Sequence, residues 1–153
     1  MTARTMRSLL WLALGTSLGA AREFVFVNLN FQIDFLAHAR DRNYAHSQFR
    51  RWADGFSLNE VLVAKWLLAA AFIGAMLVLS VAMARTRFGD ARFDKAIVAG
   101  FIGVAALALA FHAGSELLPS LRPVSIAALH ALQYPVPLLL VWVVSLLKNT
   151  SGR

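Results

Sequence analysis

Long uncharged apolar runs dominate the pattern of the chain. Ala96–Ser115 and Val124–Leu147 contain no acidic or basic residue, and each is long enough to cross roughly 30 Å of hydrocarbon at about 1.5 Å per residue. A third run, Trp66–Ala84, has the same character. Ser57 and Glu60 precede it at the spacing of a capping box, so this helix is predicted to begin near Ser57. These runs predict three membrane-spanning helices.

A fourth span is predicted near the N-terminus. Leu9–Ala21 is too short to cross a bilayer by itself and needs Phe24–Val27, beyond the charged pair Arg22 and Glu23, to reach spanning length. A cleaved signal peptide is the alternative, because two arginines precede the apolar core and small residues follow it. Since the sequence retains its initiator methionine, we expect a membrane anchor.

The prediction for the fold is an all-α integral membrane protein with four transmembrane helices in an up-down bundle. Residues 1–153 form a single membrane domain, with helices expected at about 8–28, 57–84, 95–117 and 123–147. An extramembrane segment of about 30 residues, at about 29–56, separates the first two helices. Two glycine pairs, Gly15 with Gly19 and Gly100 with Gly103, predict close helix packing in the first and third spans.

The extramembrane segment opens with a strict alternation of polar and apolar residues from Asn28 to Phe35. That period is typical of a half-buried strand. Because a lone strand has nothing to pair with, we expect an extended segment that lies on the helix ends or offers an edge to a partner protein. The predicted partner-contact residues are Asn28, Asn30, Phe31, Gln32, Ile33 and Asp34.

The rest of this segment has helical spacing. Charge lies on one side of Ala37–Ala53, while Phe49 and Trp52, with Phe56 just beyond this range, recur at helical spacing on the other side. Gly55 follows as a helix terminator. This pattern predicts a short interfacial helix.

Composition and charge support a membrane protein. The chain is 59% apolar with a mean hydropathy of +0.62. Its net charge is +7, and the Lys and Arg residues lie between the apolar runs without forming a basic stripe. We therefore expect the lipid bilayer and other membrane protein subunits as partners, and no nucleic acid. The Arg85–Lys95 loop has four basic residues and the Glu116–Pro123 turn has one, which predicts a bacterial-type inner-membrane protein with both termini in the cytoplasm.

Polar residues inside the predicted spans give the candidate site. His112 and His130 fall six and seven residues inside the predicted outer ends of the third and fourth spans, at a similar depth. Glu116 lies four residues after His112 and Gln133 lies three residues after His130, so each is expected on the same helix face as that histidine. The candidate cofactor-binding residues are therefore His112, His130, Glu116 and Gln133.

The ligand of this site is left open by the sequence. Two imidazoles on adjacent helices suit a haem or a pigment, while imidazole and carboxylate together suit a divalent metal of unspecified identity. A structural hydrogen-bond cluster is the alternative. Pro135 and Pro137 remove backbone donors and predict a broken helix beside these residues.

Four further charged residues lie close to predicted span ends, where long side chains reach the membrane surface. They are predicted lipid or interface contacts: Arg22, Glu23, Lys65 and Arg122.

The leading functional hypothesis is a small four-helix subunit or accessory protein of a larger inner-membrane complex. A bundle that binds haem, pigment or another lipophilic ligand through His112 and His130 is the first alternative, and a small membrane enzyme or transporter is the second. An enzyme is the less expected class. The chain has no cysteine, no glycine-framed serine and no paired intramembrane aspartates, so common hydrolytic and thiolate chemistries lack their residues.

Overall fold

The computed structural model describes residues 3–40 and 42–150 of the chain. These ranges are 82% helical and contain no strand. The helices are α1 (Ala3–Ala37), α2 (Ser47–Trp52), α3 (Leu58–Phe88), α4 (Asp94–Gly114), α5 (Leu121–Gln133) and α6 (Val136–Thr150). By length and composition α1, α3 and α4 can each cross a membrane, and α5 with α6 makes a fourth span if that bent pair counts as one.

The chain divides into two compact units. We call Ala20–Phe72 the loop unit, and the described residues up to Gly19 and from Ile73 onward the apolar unit. Helices α1 and α3 each contribute residues to both units.

The apolar unit has a core of large buried side chains. It comprises Met76, Met83, Phe101, Leu132 and Leu138. Half-buried residues of α1, α3, α4 and α6 pack around it, among them Trp11, Val104 and Trp142. Two side-chain hydrogen bonds also join helices of this unit. Trp11 Nε1 of α1 donates to Thr86 Oγ1 of α3 at 3.1 Å, and Arg87 Nε of α3 donates to Ser145 Oγ of α6 at 2.7 Å.

The predicted fourth helix at about 123–147 is two helices in the structure. α5 ends at Gln133, α6 begins at Val136, and the two axes differ by 64°. Tyr134 is extended, with φ −97° and ψ 167°, because the ring of Pro135 disfavours helical backbone in the residue before it. The break expected from the prolines is therefore confirmed.

The glycines of α1 pack closely inside the apolar unit, as predicted. A Cβ at Gly15 would lie 3.0 Å from Leu138 Cδ2, and one at Gly19 would lie 3.3 Å from Pro135 Cδ. The absence of these two Cβ atoms lets α1 approach the start of α6.

The glycines of α4 do not have this role. A Cβ at Gly100 or Gly103 would meet no atom within 4 Å, and both residues are exposed. Within the described chain they contact no neighbouring helix, because α4 turns the opposite face, with Phe101 and Ala108, toward the core. Close helix packing by this face of the third span stays a prediction.

Within the loop unit, the expectation of an extended segment from Asn28 to Phe35 is also wrong. These residues continue α1, which ends only at Ala37. Asn28, Leu29 and Gln32 are buried, at the spacing of three and four residues that one helix face requires. The alternating pattern predicted the wrong structure because it treats polar residues as exposed. Asn28 and Gln32 are polar but buried, and their side chains are hydrogen-bonded.

The loop after α1 contains the predicted short helix, reduced to α2. Its aromatic residues form a row in which the Phe49 and Trp52 ring centroids are 5.3 Å apart and those of Trp52 and Phe56 are 5.4 Å apart. The capping box is confirmed at the start of α3, where Ser57 N donates to Glu60 Oε2 at 2.7 Å and Glu60 N donates to Ser57 Oγ at 3.4 Å.

Candidate functional site

Three of the predicted cofactor residues lie on two consecutive helices, α4 and α5, that pack against each other, and Glu116 lies in the turn between them. α4 ends at Gly114 and α5 begins at Leu121, so His112 is two residues from its helix end and His130 is nine residues from its own. A difference of seven residues corresponds to about 10 Å along a helix axis. Counted from the helix ends, the two histidines thus lie at different distances, and a site that both share stays a prediction.

The surroundings of these residues differ as well. His112, Glu116 and His130 are exposed, whereas Gln133 is buried at the end of α5. The His130 ring meets the Tyr134 ring edge-on at 6.2 Å between centroids. No group of three His, Cys, Asp or Glu side chains in the described parts of the chain could hold a metal ion.

Arg22 was predicted to reach the membrane surface, but it is buried, with 3% of its surface exposed. Its Nη1 donates to Glu23 Oε2 at 3.0 Å, and its guanidinium carbon lies 4.5 Å from the centroid of the Phe26 ring. An ion pair and a cation–π contact together satisfy this charge within the loop unit. Lys65 is half-buried and donates to Asn30 Oδ1 at 2.8 Å, while Arg122 is exposed in the first turn of α5.

Two of the predicted partner-contact residues instead hold the loop of their own chain. The carboxamide oxygen of Asn28 accepts from His46 N at 2.6 Å, and that of Gln32 accepts from Asn43 Nδ2 at 2.6 Å. The loop is thus fastened to α1 by two amides one helical turn apart.

The other predicted contact residues also meet neighbours within the loop unit. Asp34 pairs with His38 at 3.0 Å and with Arg40 at 2.7 Å, and the Phe31 ring lies 6.2 Å from that of Tyr44. The reason for expecting a partner along this segment, an unpaired backbone edge, is therefore removed.

Sequence reasoning missed an open cleft of about 460 Å³ in the loop unit. Its polar lining includes Gln32, Asn43, Arg50 and Arg51. The available signal was the pair of adjacent arginines beside the aromatic row, which the sequence pattern assigned only to the charged side of an interfacial helix.

Comparison with protein-family models, with curated proteins and with solved structures finds no match to this chain. Its function must therefore be inferred from the contacts of its own residues.

Proposed function

We propose that the protein is a non-catalytic subunit of a larger membrane complex, bound to another membrane protein through one face of α4. We define this outer α4 face by five exposed small residues at spacings of three and four: Ala96, Gly100, Gly103, Ala106 and Ala110. The observation that carries the proposal is that α4 exposes this face along its whole length. Only 11% of its most apolar stretch is buried.

Helices associate in lipid for reasons other than the hydrophobic effect. Lipid tails are as apolar as leucine, so helices associate through close van der Waals packing, and small residues permit the closest approach of two backbones. The outer α4 face offers such an approach, since Cβ atoms at Gly100 and Gly103 would meet nothing. The opposite face already packs in the core through Phe101 and Ala108.

A comparison with α1 strengthens the argument. Glycine within a helix costs about 1 kcal/mol relative to alanine. At Gly15 and Gly19 close contact with Leu138 and Pro135 offsets this cost. The two glycines of α4 have no such contact with the part of the chain that the structure describes, and a partner helix would supply it.

We further propose an inner-membrane location with both termini in the cytoplasm, supported by the excess of basic residues in the Arg85–Lys95 connection. A cysteine at Asp90 should then react with an impermeant label only from the cytoplasm, and one at Tyr44, which is 68% exposed, only from outside. Labelling of both positions from the same side would contradict this topology.

The subunit proposal is tested by the double substitution Gly100→Leu with Gly103→Leu. A Cβ at either position meets no described atom within 4 Å, so the isolated protein should stay folded while the larger side chains displace a partner helix. We expect native gels of mild-detergent membrane extracts, from cells that make the protein naturally, to show the wild-type chain in a larger assembly and the variant free of it.

The matched control is Gly74→Leu, because a Cβ at Gly74 on α3 also meets nothing within 4 Å. It should leave the assembly intact. Equal loss in both variants would contradict the assignment to α4, and a wild-type chain that migrates alone would contradict the subunit proposal.

A further inference from the structure

The cleft of the loop unit is rich in hydrogen-bond donors. Arg50 and Arg51 line it with exposed guanidinium groups, and neither group has a hydrogen bond or ion pair to any residue that the structure describes. Asp54 is the one acidic side chain in the lining. The cleft therefore has a net positive charge.

The wall of the cleft adds a donor whose orientation is fixed by the backbone. Ala45 N can only donate, so Asn43 Oδ1 must accept from it, at 2.9 Å. The Asn43 NH₂ group then donates to Gln32 Oε1, at 2.6 Å. This leaves the NH₂ group of Gln32 without an acceptor among residues 3–40 and 42–150.

The position of the cleft points to the membrane surface. Exposed apolar side chains continue along α1 as far as Phe31, which is 41% exposed, and along α3 back to Leu62, which is 37% exposed. The cleft lies immediately beyond both, between Leu36 near the end of α1 and Phe56 just before α3. Phospholipid phosphates occupy this level, next to the hydrocarbon.

An aromatic row lies beside the arginines. Trp52 is 53% exposed and Phe56 is 37% exposed, and both belong to the row that starts at Phe49. Aromatic rings of this kind sit at the headgroup level of a bilayer, while arginine binds phosphate with two parallel hydrogen bonds. A free phosphate compound would need the donors and not the exposed rings.

We propose that this cleft binds the phosphate headgroup of an anionic phospholipid, with Arg50 and Arg51 as the phosphate ligands, the Gln32 amide as a further donor, and the aromatic row inserted among the neighbouring lipids. Lipid binding here is independent of the outer α4 face, because the two sites use different residues. A net positive cleft favours phosphatidylglycerol over zwitterionic lipids.

The test uses the full chain in nanodiscs of phosphatidylcholine with a minor fraction of phosphatidylglycerol. Native mass spectrometry after release from the disc counts the phosphatidylglycerol molecules that stay bound. We expect the wild-type chain to retain phosphatidylglycerol selectively, and Arg50→Gln with Arg51→Gln to weaken that retention by about tenfold or more, as the loss of charge-assisted hydrogen bonds requires.

The matched control is Arg40→Gln with Arg42→Gln, which removes the same charge from the same loop outside the cleft. It should change retention by less than about twofold. The pair Arg50→Lys with Arg51→Lys keeps the charge but loses the guanidinium fork, and should give an intermediate value. Circular dichroism should be the same for all variants.

Three results would overturn the proposal. Equal losses in the two glutamine variants would mean that only net charge matters. Equal retention of phosphatidylglycerol and phosphatidylcholine would contradict a site that selects an anionic headgroup. In the third result, millimolar inorganic phosphate displaces the bound lipid and itself binds to the wild-type chain but not to the Arg50→Gln with Arg51→Gln variant. That result would assign the cleft to a soluble phosphate compound.

Discussion

The core of the apolar unit and the loop that follows α1 in the loop unit are held in place by different kinds of contact. In the apolar unit, Met76, Phe101 and Leu138 are buried against one another. In the loop unit, by contrast, the buried amides of Asn28 and Gln32 fasten a loop to a helix through single hydrogen bonds.

This difference predicts different responses to damage. Apolar packing is shared among many atoms, so a cavity weakens every element that borders it. An amide that accepts one backbone N–H holds one stretch of chain, so its loss should free that stretch and little else. The following predictions test whether the two units respond in these two ways.

The largest effect is expected for Leu138→Ala. Leu138 is fully buried and packs against the backbone of α1 at Gly15. The cavity should lower the free energy of unfolding by about 2–5 kcal/mol, measured by thermal or denaturant unfolding in detergent.

The control for this prediction is Leu140→Ala, two residues further along α6. Leu140 is 61% exposed, so the same loss of side chain should change stability by about 0.5 kcal/mol or less. Equal effects for the two variants would mean that α6 is not packed in the core as described.

A smaller and more local effect is expected for Asn28→Ala. The substitution removes the acceptor of His46 N, which then lies unpaired beside α1. Hydrogen exchange measured by mass spectrometry should become about tenfold faster or more in residues 42–56, as the loss of one buried hydrogen bond implies, while exchange in α4 should not change.

Asn30→Ala is the matched control, because Asn30 is exposed and contacts only the long side chain of Lys65 in the described hydrogen bonds. It should leave exchange of the loop unchanged. If Asn28→Ala accelerated exchange throughout α1 and α4, the loop would not be an independently fastened element.

The sequence pattern predicted the elements of the apolar unit well because apolar runs and burial obey the same physics there. The uncharged runs became α3, α4 and the pair α5 and α6, and the prolines marked the break. The pattern failed at Asn28–Phe35, where two of the buried residues are amides. A period-two reading assumes that polar means exposed, and hydrogen bonds to a distant loop violate that assumption.

The candidate site was harder to predict for a geometric reason. The depth of His112 and His130 depended on where two helices end, and both ends differ from the expected positions by two or three residues. The arginines of the cleft were visible in the sequence, but their grouping with Gln32 and Asn43 requires the loop to fold back on α1. No spacing along the chain encodes that return.

The smallest expected effect concerns two buried serines of the apolar unit. Ser80 Oγ donates to Met76 O at 2.7 Å, whereas Ser125 Oγ is buried without a hydrogen-bond partner in the parts of the chain that the structure describes. Alanine improves helix propensity by a few tenths of a kcal/mol at either position. Ser80→Ala also loses a hydrogen bond, so its stability should stay close to that of the wild type.

Ser125→Ala loses no hydrogen bond to a described residue. It removes a buried hydroxyl whose desolvation is not offset by a hydrogen bond, so it should be the more stable variant by about 1 kcal/mol. Thermal unfolding of both variants in the same detergent measures the difference. A Ser125→Ala variant less stable than Ser80→Ala would contradict this prediction, because Ser125 is fully buried in its own chain and the loss would mean that its hydroxyl makes a stabilising contact there.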